Sequence, residues 1–211
     1  MNIEKRNLAN IFILSKKEIK NIDFIHCNEP TQTLEQVYNT AVKKPDILIN
    51  GGFFNTLNGE PVMDFINDYN RISSDSTTSS FGIGVTTTGE LKFGRDFEIW
   101  KDFLAAYPPL VISGVCETLG IAKEIDGIHK RTVLGYNDDS VFIIVYDYPG
   151  ATLKDAAYLA KDIGCKYAIN LDGGGSTRLL YKGTKTYAAA MVNRPVDNVI
   201  AFYLYEQLYR V

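Results

Sequence analysis

A single α+β domain, with a mixed, mainly antiparallel sheet and helices packed on it, is the fold this sequence predicts. Short apolar segments recur with the two-residue period of strands, and tight turns of the kind that join antiparallel neighbours separate several of them. Only two segments combine a helix-start signal with a helical apolar face. The 211 residues, 45% hydrophobic, suffice for one large core and make a second independent domain unexpected.

Near the N-terminus, Asn10 to Leu14 and Asn21 to Cys27 read as strands around a Lys16-Lys17-Glu18 turn. Thr33-Leu34-Glu35-Gln36 has the spacing of a capping box and predicts a helix that Pro45 ends. Asp46 to Ile49 is a short buried strand. Residues Asn67 to Ser80 are rich in Ser, Thr and Asp and read as a loop, either one that folds over a site or a passive insertion.

Hairpins are expected through Thr88-Gly89, joining Phe81 to Val85 with Glu90 to Phe93, and through Asn137-Asp138-Asp139, joining Arg131 to Gly135 with Val141 to Tyr146. Leu110 to Ser113 is a further strand. Thr152 with Asp155 opens a second helix as a capping box, Leu153, Ala156, Ala157, Ala160 and Ile163 form its apolar face, and Gly164 ends it. Tyr167 to Leu171, Arg178 to Tyr181 and Val199 to Tyr205 complete the sheet.

The net charge of −3 and the lack of a basic stripe argue against a nucleic-acid partner. No apolar run approaches the roughly 20 residues of a membrane span. Ile11 to Leu14 is too short for a secretory core, and Glu4 interrupts any basic leader, so a cytoplasmic location is expected. Cys27, Cys116 and Cys165 are odd in number and scattered, and with only His26 and His129 beside them no zinc spacing exists. No metal and no cofactor is expected. Tyr203, Tyr205 and Tyr209 offer either a face for a homo-oligomer or an ordinary edge strand.

Chemistry concentrates in the run Asn170-Leu171-Asp172-Gly173-Gly174-Gly175-Ser176-Thr177. Glycine loses the most backbone freedom on folding, so three in a row after an apolar strand suggest a backbone-lined binding turn. Successive N–H groups of Gly173, Gly174, Gly175 and Ser176 form a candidate anion nest, Ser176 and Thr177 add hydroxyls, and Asp172 fixes a carboxylate beside them. No Gly-Lys-Ser/Thr follows and the G-x-G-x-x-G spacing is absent, so this is neither of the common nucleotide loops. Asn50-Gly51-Gly52-Phe53-Phe54-Asn55 is a second glycine turn after a strand, in which one phenylalanine is expected in the core and one at the site. Arg131 and Arg194 are natural phosphate partners because a guanidinium fork matches phosphate oxygens, although a surface ion pair is the commoner use of either. His129 is a candidate proton carrier or a structural side chain.

Four segments in this order, Asn50-Gly51-Gly52-Phe53-Phe54, Arg131-Thr132-Val133-Leu134-Gly135, Asn170 to Thr177, and Arg194 with Asn198, resemble the phosphodiester glycosidase domain family. The resemblance covers about Asp46 to Tyr203, and the helix from Thr152 stands where that family has one. It implies an α+β domain with a cleft lined by these segments, and hydrolysis of a sugar 1-phosphodiester between the anomeric carbon and the phosphate oxygen. On that reading Asp172, Arg131 and Arg194 carry the reaction. Asn50, Gly51, Gly52, Phe53, Asn55, His129, Asn170, Gly173, Gly174, Gly175, Ser176 and Thr177 line the substrate. The chain departs from the pattern at Pro61-Val62-Met63-Asp64 and at Asp147-Tyr148-Pro149-Gly150. The expected ligand is a small phospho-sugar or a nucleotide-derived molecule. The competing reading is a non-catalytic binder that sequesters such a ligand.

Overall fold

Three antiparallel sheets share one core in the computed structural model, which describes residues 1–27, 31–74, 81–94, 99–117, 125–188 and 193–206. The first sheet has the order β1 (Asn2–Arg6), β2 (Ala9–Ser15), β13 (Ser140–Tyr146), β12 (Thr132–Tyr136), β14 (Tyr167–Asn170), β10 (Pro109–Ile112) and β11 (Val115–Cys116). The second runs β16 (Lys185–Tyr187), β15 (Leu179–Tyr181), β4 (Ile47–Asn50), β17 (Asn198–Leu204) and β3 (Ile19–His26). The third runs β6 (Asn70–Ser73), β5 (Phe65–Asn67), β9 (Trp100–Ala105), β7 (Gly82–Thr86) and β8 (Leu91–Gly94).

Two expectations are corrected here. Every described pairing of named strands is antiparallel, so the sheet is not mixed, and the strands divide among three sheets. The segment from Asn67, read as a polar loop, instead closes a hairpin between β5 and β6. Asp68 and Tyr69 take positive φ at its turn, and the Asp102 carboxylate accepts from the Asp68 N–H at 2.7 Å. Residues 75–80 lie outside the described residues. So does Tyr209 of the tyrosine-rich end.

The period-two pattern sorts side chains between layers. Along β12, Leu134 and Tyr136 face the common core while Val133 faces α2 (Leu153–Asp162). Along β14, Ile169 faces the core and Ala168 the helix. Thr152 caps α2 by accepting from the Asp155 N–H at 3.0 Å, and Gly164 at φ +96° turns the chain out of it. The Asp155 carboxylate accepts from the Thr152 hydroxyl at 2.6 Å, so the reciprocal bond expected of the capping box takes this side-chain form.

At α1 (Leu34–Thr40), Thr33 and Gln36 do form the reciprocal box. That helix ends at Thr40, well before Pro45, and its Leu34 and Val37 pack on the outer face of the second sheet. No helix among the described residues is long and apolar enough to cross a membrane.

Candidate functional site

β12 begins and β14 ends at the same edge of the first sheet. The register that pairs Val133 with Asn170 is continued past the strands by the Leu171 N–H donating to the Thr132 carbonyl at 2.9 Å. One step further sets Arg131 across from Asp172. Arg131 turns to Ala151 on the α2 side, whereas Asp172 has left the ladder for the second sheet, its N–H bonded to the Gly51 carbonyl, so register alone does not bring the two side chains together.

The turn after β14 is tied down through its own amides. Asp172 N–H donates to the Gly51 carbonyl at 3.0 Å, Gly174 N–H to the Lys130 carbonyl at 2.9 Å, and Ser176 N–H to the Gly173 carbonyl at 3.1 Å. Gly173 N–H donates to the Asp172 carboxylate itself at 2.8 Å. The expected anion nest is therefore corrected. Three of its four donors, Gly173, Gly174 and Ser176, already have partners, and the Gly175 N–H alone of the four has none among the described residues. Gly174 sits at φ +57°, a conformation that other residues adopt only with strain.

What the turn offers instead is side chains. Burial raises the Asp172 carboxyl above its usual range, against opposing effects from Ser176, the Gly173 amide and the positive charge of Arg194. No ion pair within 4 Å joins Asp172 and Arg194 among the described residues. The hydroxyls of Ser176 and Thr177 and the Oδ1 of Asn170 are buried without a hydrogen-bond partner. Ser176 lies near enough to influence the Asp172 carboxylate but off the geometry of a full hydrogen bond. The Asn170 amide is oriented by Nδ2 donating to the Tyr107 carbonyl at 2.9 Å, which leaves Oδ1 as the unmet acceptor. Buried polar groups normally have partners, so three orphans within residues 170–177 set this turn apart, and Trp100 Nε1 and Tyr146 OH are buried in the same condition elsewhere.

The two arginines flank the turn differently. A Cβ on Gly175 would lie 3.2 Å from Arg194 Nη1, and a Cβ on Gly173 would lie 3.9 Å from Arg131 Cδ. Arg194 also stands 5.8 Å from the Phe54 ring centroid, on the wall of a cavity of about 790 Å³ shared with Phe54, Leu57, Asn58 and Gly59. Arg131 is buried, and its guanidinium donates to the carbonyls of Ala151 (3.2 Å), Ile125 (2.6 Å) and Gly127 (2.7 Å). Its fork thus holds the 125–127 loop to the start of β12, a different task from the phosphate grip expected of it.

Asn50 is likewise fully buried. Its Nδ2 donates to the Asp172 carbonyl at 2.8 Å, and its Oδ1 accepts from the Thr132 hydroxyl at 2.7 Å and the Arg178 N–H at 3.2 Å. With both ends of its amide used, Asn50 fastens three segments together and has nothing left for a sugar hydroxyl. Asn55 is exposed, with its Oδ1 accepting from the Leu57 N–H at 2.9 Å inside its own loop.

Gly51 and Gly52 are required by close approach. A Cβ on Gly51 would fall 1.9 Å from Asn198 Oδ1, and the Gly52 N–H donates to that same oxygen at 2.7 Å. Both phenylalanines are partly buried. Phe54, rather than the Phe53 expected at the site, lines the cavity by Arg194. His129 is exposed, pairs its backbone with Ala151, and lays its imidazole against Gly127.

Two neighbours escaped sequence reading. The Lys130 carbonyl fixes Gly174, and its ammonium, lowered by burial and by the nearby Arg178 charge, donates to the Ala188 carbonyl at 3.2 Å. Arg178 is bonded twice to Glu35, at 2.6 and 3.1 Å, which joins α1 to the end of the glycine run. Adjacency to Arg131 and Thr177 was the only signal for either residue. A second cavity, of about 740 Å³, lies by Tyr136 and Tyr167 at the opposite ends of β12 and β14. Among the described residues no group of three His, Cys, Asp or Glu is placed to hold a metal ion.

A phosphodiester glycosidase (NAGPA) family model matches residues 43–203. The human N-acetylglucosamine-1-phosphodiester alpha-N-acetylglucosaminidase is 26% identical over 164 residues, 64% of this chain and 32% of that protein. The mouse enzyme is 25% identical over the same length and 31% of its own. The chain thus spans about a third of the length of these relatives. The zebrafish catalytic domain of the same name, auto-inhibited by its pro-peptide, superposes with a TM-score of 0.73 at 20% identity, covering 92% of this chain and 82% of its own. A hypothetical protein from Synechocystis superposes at 0.79 with 13% identity, covering 97% and 61%.

Proposed function

This chain belongs to the phosphodiester glycosidase family, and from that premise we propose that it hydrolyses the glycosidic bond of a sugar 1-phosphodiester. The bond between the anomeric carbon and the phosphate oxygen breaks, water supplies the new C1 hydroxyl, and the other product is a phosphomonoester. The observation that carries this reading is the grouping of a half-buried carboxylate, Asp172, with the Arg194 guanidinium and the orphaned hydroxyls of Ser176 and Thr177 on one glycine turn.

Glycosidic cleavage ordinarily uses two carboxylates, one of them to protonate the leaving oxygen. A departing phosphate is already acidic and needs no such proton, so one carboxylate suffices. Arg194 and the hydroxyls hold the leaving negative charge, as preorganised donors do at other developing anions. Asp172 faces the sugar, where it stabilises the cationic transition state or takes a proton from the attacking water.

The finer reading is an intracellular phospho-sugar or nucleotide-derived substrate. Its support is the three free cysteines, two of them buried with thiols pushed up to about 12, a set that suits a reducing compartment.

The deciding experiment incubates the protein with a panel of sugar 1-phosphodiesters and nucleotide sugars in ¹⁸O-labelled water. Mass spectrometry then follows the products. Release of free sugar with an unlabelled phosphomonoester is the expected result. Label in the phosphate instead means P–O cleavage and ends the reading. Ligand recovered intact after long incubation with stoichiometric protein makes the chain a sequestering binder.

A further inference from the structure

His26, the last residue of β3, lies directly across from Asn198, the first of β17, and a continuous line of hydrogen bonds runs from its ring to the candidate site. His26 Nε2 is 3.1 Å from Asp197 Oδ1. The other oxygen, Asp197 Oδ2, accepts from Asn198 Nδ2 at 2.9 Å. Asn198 Oδ1 accepts from the Gly52 N–H at 2.7 Å, and the Asn198 carbonyl accepts from the Gly51 N–H at 3.0 Å. The Gly51 carbonyl accepts in turn from the Asp172 N–H at 3.0 Å.

We propose that His26 and Asp197 are positioning residues: they fix the orientation of the Asn198 amide, and through the Gly51-Gly52 turn they hold Asp172 in place. The role assigned to Asp172 rests on the function proposed above, whereas the mechanical linkage does not.

An asparagine amide has one accepting and one donating end, and its neighbours decide which way round it sits. An ionised carboxylate only accepts, so Asp197 compels Asn198 to present its NH₂ on that side. Oδ1 is then left facing Gly52, where the acceptor is needed. A reversed amide would set two donors against each other at Gly52. The packing is close on this side, since a Cβ on Gly51 would fall 1.9 Å from the same Oδ1.

Asp197 is itself buried, at 2% exposure, and burial raises its carboxyl against the opposing bonds from Asn198 and His26. His26 supplies the second donor that keeps it in the accepting form. The imidazole also packs against the Phe65 ring in a T-shaped arrangement, with centroids 5.8 Å apart.

The test compares His26→Phe, His26→Gln and Asp197→Asn with the wild type by two independent readouts. Amide hydrogen exchange at Gly52 and Asp172, measured by NMR against a core strand such as β13, reads the linkage without any substrate. Steady-state kinetics use the sugar 1-phosphodiester that the wild type turns over fastest. Expected for His26→Phe and Asp197→Asn is exchange at Gly52 and Asp172 faster by about tenfold, roughly one lost hydrogen bond, with β13 unchanged. The same variants lose kcat by about tenfold for the same reason while KM stays put, and His26→Gln, which keeps a donor for Asp197, recovers most of both.

Exchange at Gly52 and Asp172 equal to wild type in His26→Phe overturns the proposal. So does a His26→Gln variant no better than His26→Phe. Altered exchange in a protein that cleaves no member of the substrate panel upholds the linkage and removes the proposed activity instead.

Discussion

Arg194 reaches back over Gly175, its Nη1 3.2 Å from where a Cβ on that glycine would stand. Gly175 does not sit at positive φ, so alanine is conformationally acceptable there and the added methyl acts on the arginine. Gly175→Ala is expected to lower kcat/KM for a sugar 1-phosphodiester by about tenfold or more, since misplacing a group by an ångström is costly in catalysis. The melting temperature should stay near wild type. Unchanged kinetics in a folded Gly175→Ala protein would mean that Arg194 takes no part in binding the phosphate.

The two arginines should fail in different ways. Arg194→Ala removes a charge at the cavity wall and should weaken substrate capture with little effect on stability. Arg131→Ala removes a donor from three carbonyls, those of Ile125, Gly127 and Ala151, of which only Ala151 keeps another, the His129 N–H. Unsatisfied buried acceptors cost about 1–3 kcal/mol each in full desolvation, so a loss of a few kcal/mol is expected. Urea titration of the two variants separates them, and an Arg131→Ala protein as stable as wild type would refute the structural role given to that residue.

Asp172 should show opposite effects on activity and stability. Burial raises its carboxyl above the unfolded value, so the folded state prefers the neutral acid. The associated stability is fully present below the unfolded aspartate range and is lost as pH rises through the folded value. At neutral pH the ionised form therefore costs stability, and Asp172→Asn should melt at a higher temperature than wild type. The difference should vanish near about pH 3, below the ordinary aspartate value. Turnover at neutral pH should fall by at least about a hundredfold, the low end of general-base effects. Calorimetry at the two pH values together with a kinetic assay checks all three.

Ser176→Ala and Thr177→Val remove hydroxyls that are buried and unpartnered. Deleting an orphaned polar group relieves a desolvation cost, so Thr177→Val is expected to match or exceed the wild-type melting temperature, whereas Ser176→Ala also removes a group that steadies the ionised Asp172 carboxylate and should melt slightly lower at neutral pH. Each should nonetheless weaken substrate binding or turnover by about fivefold to tenfold, one hydrogen bond's worth. A marked drop in stability would reveal a protein partner for the hydroxyl and remove the case for a ligand contact.

How much of this was readable beforehand depends on range. The strand segments and their hairpins follow from local period and turn chemistry, as at Thr88-Gly89 and Asn137 to Asp139. Both helix starts follow from Thr33 and Thr152. The glycine turn with its carboxylate stood out because three consecutive glycines have few other uses. The 67–73 hairpin was missed because polar residues crowd an edge strand, and β9 because Trp100 to Ala105 lacks turn signals of its own.

The sequence by itself determined that a carboxylate and two hydroxyls sit on a turn without side chains, and it offered Arg131 and Arg194 alike as partners for it. Tertiary structure alone decided which polar groups are already taken. The Gly173, Gly174 and Ser176 amides, the Asn50 amide and the Arg131 fork look equally available in one dimension. The Gly173 and Ser176 amides are taken inside the turn itself, whereas the Gly174 amide, the Asn50 amide and the Arg131 fork find partners only through contacts distant in sequence. Hydrogen-bond capacity is finite and is spent first on folding, so the groups left for a ligand are those that packing fails to satisfy.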